Sequence, residues 1–283
     1  MIIVGVDGSQ AGMEAVSWAV REAALRHVPL IVAHAMPRWI CETKNGRLAE
    51  VATWMREGCE TVLAGGKSRA VHEQPTAEVK TLVLPGDPRL ALIEASQDAE
   101  LLVVGSHGLG GVRGMLVGSV AYGVAGHAAC DVVVVRALPS LPHGEVVAGV
   151  DGSTRSRAVL DFAFAEAELR KARLRAVHAW AWPRLGGFAP ADPESEQKEL
   201  LVLKEALAGH QGQHPDVEMI AENVHGHPVE VLRQAATGAD LLVVGSRGHG
   251  TLTGMVLGSV SHALLHHSPC PLVVVRDSGG GQW

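Results

Sequence analysis

The sequence predicts a doubly wound α/β fold, built twice in tandem. Three observations predict it: a long internal repeat, apolar runs that alternate with helical stretches, and a glycine-rich loop at the same place in each copy. Gly5-Val6-Asp7-Gly8-Ser9 recurs as Gly149-Val150-Asp151-Gly152-Ser153, an offset of 144. Glu22, Ala23, Leu25, Arg26, Leu30, His34 and Ala35 recur at that offset as Glu166, Ala167, Leu169, Arg170, Leu174, His178 and Ala179. LLVVGS from Leu101 recurs from Leu241, an offset of 140, so the poorly matched middles differ in length by four residues. Ordered blocks of this kind mark a duplicated unit.

The chain has 283 residues, which suits two domains of roughly 100–200 residues each. The boundary lies in Ala137-Leu138-Pro139-Ser140-Leu141-Pro142-His143-Gly144, which carries two prolines, a glycine and no regular apolar period. It is too short and proline-rich for a floppy tether. The domains, residues 1–138 and 145–283, are therefore expected to pack as an intrachain pseudo-dimer.

Each copy opens with a short apolar strand, Ile2–Val6 and Val146–Val150, followed by the Asp-Gly-Ser turn. A helical stretch follows, with Ala15, Trp18, Ala19, Glu22, Ala23 and Leu25 in copy one and Val159, Leu160, Ala163, Phe164 and Ala167 in copy two near helical spacing. The second strand is Leu30–Ala35 and Leu174–Ala179, and the variable middle reads as helix around Arg47–Gly65 and Glu194–Ala208. The third strand lies near Glu78–Leu84 and Val217–Asn223. A helix then opens after Gly86-Asp87-Pro88 and Gly226-His227-Pro228, with proline suited to its first turn. The fourth strand is Leu101–Gly105 and Leu241–Gly245. A last helix starts near Gly118-Ser119 and Gly258-Ser259, and the final strand is Val132–Val135 and Leu272–Val275.

Strands alternating with helices imply a mainly parallel, Rossmann-like sheet of five strands per copy, covered on both faces. Continuous Val- and Leu-rich strands are what double burial requires. Ligands of such sheets bind beyond the carboxyl ends of the strands, where strand order reverses. The Asp-Gly-Ser turn and the loop after the fourth strand are both at carboxyl ends, so both can line one crevice.

That loop carries the chemistry. Copy one reads Gly105-Ser106-His107-Gly108, nine residues, then Gly118-Ser119-Val120-Ala121. Copy two reads Gly245-Ser246-Arg247-Gly248, nine residues, then Gly258-Ser259-Val260-Ser261. Glycine lets backbone approach an anion closely, and a helix opened by Gly-Ser offers free N–H groups and a favourable dipole to a phosphate. The motif is no Walker A loop, since no G-K-[ST] is present, nor a dinucleotide fingerprint, which would follow the first strand.

G-x2-G-x9-G-[ST] after an apolar strand, together with a V-D-G-S turn after strand one, resembles the ATP-binding universal stress protein family. The tandem arrangement resembles its two-domain actinobacterial members. The resemblance covers nearly the whole chain except the middles, about 40–75 and 183–215. It implies ATP held between the strand-one turn and the glycine loop, and a regulatory or stress-response role with little or no turnover. It implies that Gly105, Gly108, Gly118 and Ser119, with Val120, hold ribose and phosphates in copy one. In copy two the same work falls to Gly245, Gly248, Gly258, Ser259, Val260 and Ser261. Asp7 and Asp151 match the strand-one aspartate. They are expected at ribose, base or a phosphate-bridging Mg²⁺, with a turn-forming Asx role as the structural alternative. Backbone near Ala35 and Ala179 would line adenine. Dimer-like pairing through the last strand, and a homodimer of whole chains, follow from the same resemblance.

Copy one departs from the pattern. Ala121 stands opposite Ser261, His107 opposite Arg247, and Ala129 and Asp131 opposite Pro269 and Pro271. Site two is therefore expected to bind ATP more tightly, through the Ser261 hydroxyl and the Arg247 charge. The alternative functions are a weak ATPase or nucleotidyl-transferase-type enzyme, and a scaffold with vestigial nucleotide sites. Neither copy supplies a loop lysine or a nucleophile–base pair, so no catalytic residue is assigned.

Composition excludes other classes. The formal net charge is −6 without a long basic block, which disfavours nucleic acid as partner. No apolar run approaches the ~18–20 residues that span a bilayer, and no export signal is evident at the start. A cytoplasmic setting is expected. Cys41, Cys59, Cys130 and Cys270 form no CxxC pair and read as reduced, mostly buried thiols. His262, His266 and His267 lack a third ligand at sensible spacing and read as a polar helix face or subunit contact, so no metal site is assigned. His34 and His178 read as satisfied strand-end histidines, and Trp180 and Trp182 as packing residues.

Overall fold

A computed structural model describes residues 1–109, 117–136, 138, 142–180, 193–248 and 256–276, with backbone alone at 193–196. Half of the Ala137–Gly144 boundary, Trp182 and most of each nine-residue spacer lie outside the described residues. The chain divides into two compact units, Met1–Leu138 and Pro139–Trp283.

In the first unit the chain runs β1 (Ile2–Gly5), α1 (Gln10–Arg26), β2 (Leu30–Met36), α2 (Arg38–Glu42), α3 (Ala49–Glu73) and β3 (Val79–Pro85). It continues through α4 (Pro88–Ala95), β4 (Leu101–Gly105), α5 (Ser119–His127) and β5 (Asp131–Val135). The second unit repeats this as β6 (Glu145–Val150), α6 (Ser156–Arg170), β7 (Arg173–Trp180), α7 (Pro193–Leu207), α8 (His210–Gln213) and β8 (Met219–His225). It closes with α9 (Pro228–Ala235), β9 (Leu241–Gly245), α10 (Ser259–His267) and β10 (Leu272–Val275). The middle helix of copy one differs from expectation. It runs to Glu73, past the Gly65-Gly66 pair, and a short α2 precedes it. Gly66 is buried against Val32 Cγ1, where a Cβ would come within 2.8 Å, so tertiary packing overrides a weak helix former here. The third strands are shifted a residue or two C-terminally from their sequence reading.

The strands of the first unit are ordered β3-β2-β1-β4-β5 and those of the second β8-β7-β6-β9-β10. Every pairing within a unit is parallel, for example Ile2↔Leu30 and Ile2↔Leu101. Parallel strands need helical crossovers, which cover both faces, and this is why the central strands are continuously apolar. Ile2, Val4, Leu101–Val103 and Val146–Ala148 are fully buried. The outer β3 is mostly exposed and carries Lys80 and Thr81, a composition that discourages further pairing at an edge.

Strand order reverses at β1/β4 in copy one and at β6/β9 in copy two. In each unit the neighbouring strands leave in opposite directions there and open a crevice at the carboxyl ends. The chain enters it on the Asp-Gly-Ser turn, where Gly8 (φ 86°) and Gly152 (φ 76°) adopt the left-handed conformation that favours glycine. Helix α1 then starts with Ser9 as cap, its hydroxyl accepting from Gly12 N–H at 3.1 Å. Both α1 and α6 end on a left-handed non-glycine residue, His27 and Lys171, whose N–H returns to the last turn.

Candidate functional site

The glycine loops are sewn to the sheet before they reach the site. Ser106 N–H donates to Val135 O at 2.8 Å and Gly118 N–H donates to Ser106 O at 2.8 Å; the counterparts in copy two are 2.9 and 2.7 Å. Helices α5 and α10 thus open at fixed places, with Gly118 and Gly258 as extended N-caps lacking any side-chain cap. The first intrahelical bonds are Tyr122 N–H to Gly118 O and His262 N–H to Gly258 O. The amides of Ser119, Val120 and Ala121, and of Ser259, Val260 and Ser261, therefore have no partner within their helices.

These amides face cavities. In copy one a cavity of about 560 Å³ is lined by Asp7, Ala35, Gly105, Gly108, Gly118, Ser119, Val120 and Ala121, among others. In copy two a cavity of about 220 Å³ is lined by Asp151, Ala179, Gly245, Gly248, Gly258, Ser259, Val260 and Ser261, among others. The structure thus brings every sequence-predicted site residue of each copy to one crevice. Leu92 and Leu232 form part of the apolar wall, below Gly5 and Gly149.

The aspartates do more local work than their assignment to ribose, base or Mg²⁺ allowed. Asp7 Oδ1 accepts from Ser9 N–H at 3.0 Å, an Asx turn, while Oδ2 accepts from Leu109 N–H at 3.0 Å. Asp151 Oδ1 accepts from Ser153 N–H at 2.9 Å and from Ser156 Oγ at 2.7 Å. Asp7 therefore ties the strand-one turn to the glycine loop. Hydrogen bonds to a charged acceptor contribute about 1.5–3 kcal/mol each.

This explains Gly108 and Gly248 differently from the sequence argument. A Cβ at Gly108 would lie 2.3 Å from Asp7 Oδ2, and one at Gly248 would lie 2.5 Å from Asp151 Oδ2. A Cβ at either place would have to displace the carboxylate, so glycine fits there first because the carboxylate occupies the space. At Gly105 a Cβ would meet the Ala11 backbone at 2.7 Å, so that glycine admits the first turn of α1.

The Ser261 hydroxyl also departs from expectation. Ser261 is buried and its Oγ donates to Gly245 O at 2.5 Å, so its proton points into the loop rather than at a phosphate. Its contribution to the crevice is its backbone amide. Ser119 and Ser259, by contrast, are exposed at the mouth. His107 bonds Ser106 Oγ through Nδ1 at 2.9 Å.

The strand-end histidines are satisfied, as read from sequence. His34 Nδ1 donates to Val6 O at 2.7 Å and His178 Nδ1 donates to Val150 O at 2.8 Å, which ties the first two strands of each unit at the rim. His178 Nε2 lies 2.8 Å from Glu199 Oε2. Trp180 packs edge-on against His225, with ring centroids 4.7 Å apart. Cys59 and Cys270 are buried, while Cys41 and Cys130 are only half-buried. Burial pushes the Cys270 thiol up to about 12, so it is an inert packing residue. Among the described residues no group of three or more His, Cys, Asp or Glu could hold a metal ion. No described helix is long and apolar enough to cross a membrane.

Sequence reasoning missed Arg155, Ser156 and the apolar wall. Arg155 lines the second cavity and its Nη1 donates to Gly248 O at 3.4 Å. The signal was in the repeat alignment, which sets Arg155 opposite Ala11 and Ser156 opposite Gly12 beside an otherwise matched turn.

Known proteins give the same architecture. A sequence model of the universal stress protein family matches residues 1–136 and 143–276. Two universal stress proteins of Mycobacterium tuberculosis are 36% and 35% identical to the chain. In both comparisons 98% of this chain is covered, with 97% and 96% of the relatives. The crystal structure of a universal stress protein from Archaeoglobus fulgidus superposes with a TM-score of 0.72 at 21% identity, covering 97% of each chain. The chain belongs to the universal stress protein family, with two family domains in tandem.

Proposed function

We propose that this protein binds ATP in each repeat and acts as a regulatory or stress-response protein with little or no catalytic turnover. The observation that carries the reading is the pair of uncapped helix N-termini, α5 and α10, whose free amides open onto a cavity at the strand-order reversal. In this reading phosphates sit on the amides of residues 119–121 and 259–261. Ribose lies along the glycine loop, and adenine lies against backbone at Ala35 and Ala179, with Leu92 or Leu232 beneath it. Asp7 ties the loop to the strand-one turn, and Asp151 holds the strand-one turn and the start of α6. Among the described residues a single carboxylate lines each cavity, so Mg²⁺ would arrive with the phosphates rather than in a cage of its own.

The lining also supports low turnover. Among the described residues neither cavity is lined by a lysine, and both Asp7 oxygens already accept backbone N–H groups, which occupies that carboxylate in the loop. The test is mass spectrometry of the small molecule released when the gently purified protein is denatured, paired with a phosphate-release assay. ATP in the released fraction with no sustained phosphate release is expected. Sustained release would favour the ATPase alternative. No bound nucleotide and no binding on titration would favour a scaffold with vestigial sites.

A cytoplasmic setting and pairing of the repeats as a pseudo-dimer belong to the same reading. Within copy one, β5 pairs with β4 on one side only, and such an edge invites a partner. Residues 1–138 expressed alone should therefore self-associate in analytical ultracentrifugation. A stable monomer would end the pseudo-dimer reading. A homodimer of whole chains rests on the family resemblance.

A further inference from the structure

The repeat alignment sets Arg155 of copy two opposite Ala11 of copy one. The local backbone explains why the arginine reaches the crevice. In copy one α1 begins at Gln10, so Ala11 is already helical and only 2% exposed. In copy two the helix begins two aligned positions later, at Ser156. The Ser156 hydroxyl donates to Asp151 Oδ1 at 2.7 Å and accepts from Asp151 N–H at 3.2 Å. Gly12, its counterpart, has no side chain with which to do this. Thr154 and Arg155 stay in the turn, and the Arg155 guanidinium reaches the Gly248 carbonyl, beside the glycine loop.

The two crevices consequently differ in charge and room. Among the described residues, one carboxylate and no lysine or arginine line the first, with a volume of about 560 Å³. One carboxylate and two arginines, Arg155 and Arg247, line the second, with a volume of about 220 Å³. A guanidinium keeps its charge at all working pH values and recognises phosphate oxygens through several N–H groups.

We propose that the second crevice selects nucleotides by phosphate charge: through Arg155 it favours a nucleoside triphosphate over a monophosphate. This rests on the nucleotide-binding reading above. Arg155 is then the residue that sets specificity in copy two, a role the Ser261 hydroxyl cannot fill because it is committed to Gly245.

The experiment is calorimetric titration of the full-length chain with ATP and with AMP, before and after Arg155→Ala. Arg155→Ala should weaken ATP binding at one of two sites about tenfold, and leave AMP binding within about twofold. Arg155→Lys should recover part of the ATP affinity, because a point charge remains. The same titration in Gly108→Val, which disables the first site, assigns the effect to the second, with thermal unfolding as a check on folding. An equal loss for ATP and AMP, or no loss for either, overturns the inference while leaving nucleotide binding intact. If the unaltered protein binds neither nucleotide, the nucleotide reading fails and the inference falls with it.

Discussion

The two repeats share a sheet order and differ at its rim. In both, a histidine at the end of the second strand donates to the carbonyl after the first, and the first helix ends on a left-handed residue. In both, a glutamate 1% exposed pairs with an arginine one helical turn on, Glu22 with Arg26 and Glu166 with Arg170. Copy one, however, caps α1 with Ser9 and α4 with Asp87, which accepts from Arg89 and Leu90 N–H. Copy two has no side-chain cap on α6 or α9, where Arg155 and His227 stand. A cap contributes about 1 kcal/mol, less than burial of one core leucine at ~1.5–3 kcal/mol. The apolar sheet carries the fold, so polar residues at the rim were free to diverge and to change the chemistry of the crevice.

The comparison breaks most directly at the glycines. Gly108→Val and Gly248→Val each push a side chain into the aspartate carboxylate and disturb its hydrogen bonds, to Ser9 and Leu109 N–H for Asp7 and to Ser153 N–H and Ser156 Oγ for Asp151. Each should lower nucleotide affinity about a hundredfold, or ~3 kcal/mol, at its own site and leave the other unchanged. Calorimetry on both variants checks this. Near-native affinity with a normal thermal midpoint would show that the carboxylate contact is dispensable.

A matched loss is expected where the repeats agree. Glu22→Ala and Glu166→Ala each remove a buried carboxylate that pairs with an arginine one turn on. Each should cost about 2–3 kcal/mol in denaturant unfolding, below the fully buried range because the arginines reach water. A difference of more than about 1 kcal/mol between the two would mean that the pairs are not equivalent.

A split is expected at the serines that follow Asp-Gly. Ser9→Ala removes a cap and should cost about 1 kcal/mol. Ser153 Oγ is buried with no hydrogen-bond partner, so Ser153→Ala should be neutral or slightly stabilising. Equal destabilisation by the two changes would contradict the different helix starts.

The smallest effect is expected from Ala121→Ser. The new hydroxyl should repeat the Ser261 bond and donate to the Gly105 carbonyl, shifting stability by less than ~1 kcal/mol. It should leave ATP affinity at site one unchanged, whereas the sequence alone suggested that it would narrow the gap between sites. A gain of more than about threefold would restore the hydroxyl as a phosphate donor.

The sequence by itself determined the duplication, the parallel sheet and the meeting of the strand-one turn with the glycine loop in each crevice. Those follow from local pattern: doubly buried strands must be continuously apolar, and a helix opened by glycine must leave amides free. It also showed that His34 and His178 would be satisfied at strand ends. What it could not decide was which partner each polar group takes. Ser261 was read as a phosphate donor because hydroxyl and loop are near in sequence, yet its proton goes to Gly245, sixteen residues back. Gly108 was read as room for phosphate, yet the Asp7 carboxylate stands there, brought from 101 residues away by the pairing of β1 with β4. Arg155 was visible as a mismatch in the alignment but had no assigned direction until the Ser156–Asp151 bond delayed the helix start. Apolar periodicity is a property of a segment, whereas hydrogen-bond partners at a strand-order reversal come from segments that only the folded sheet brings together.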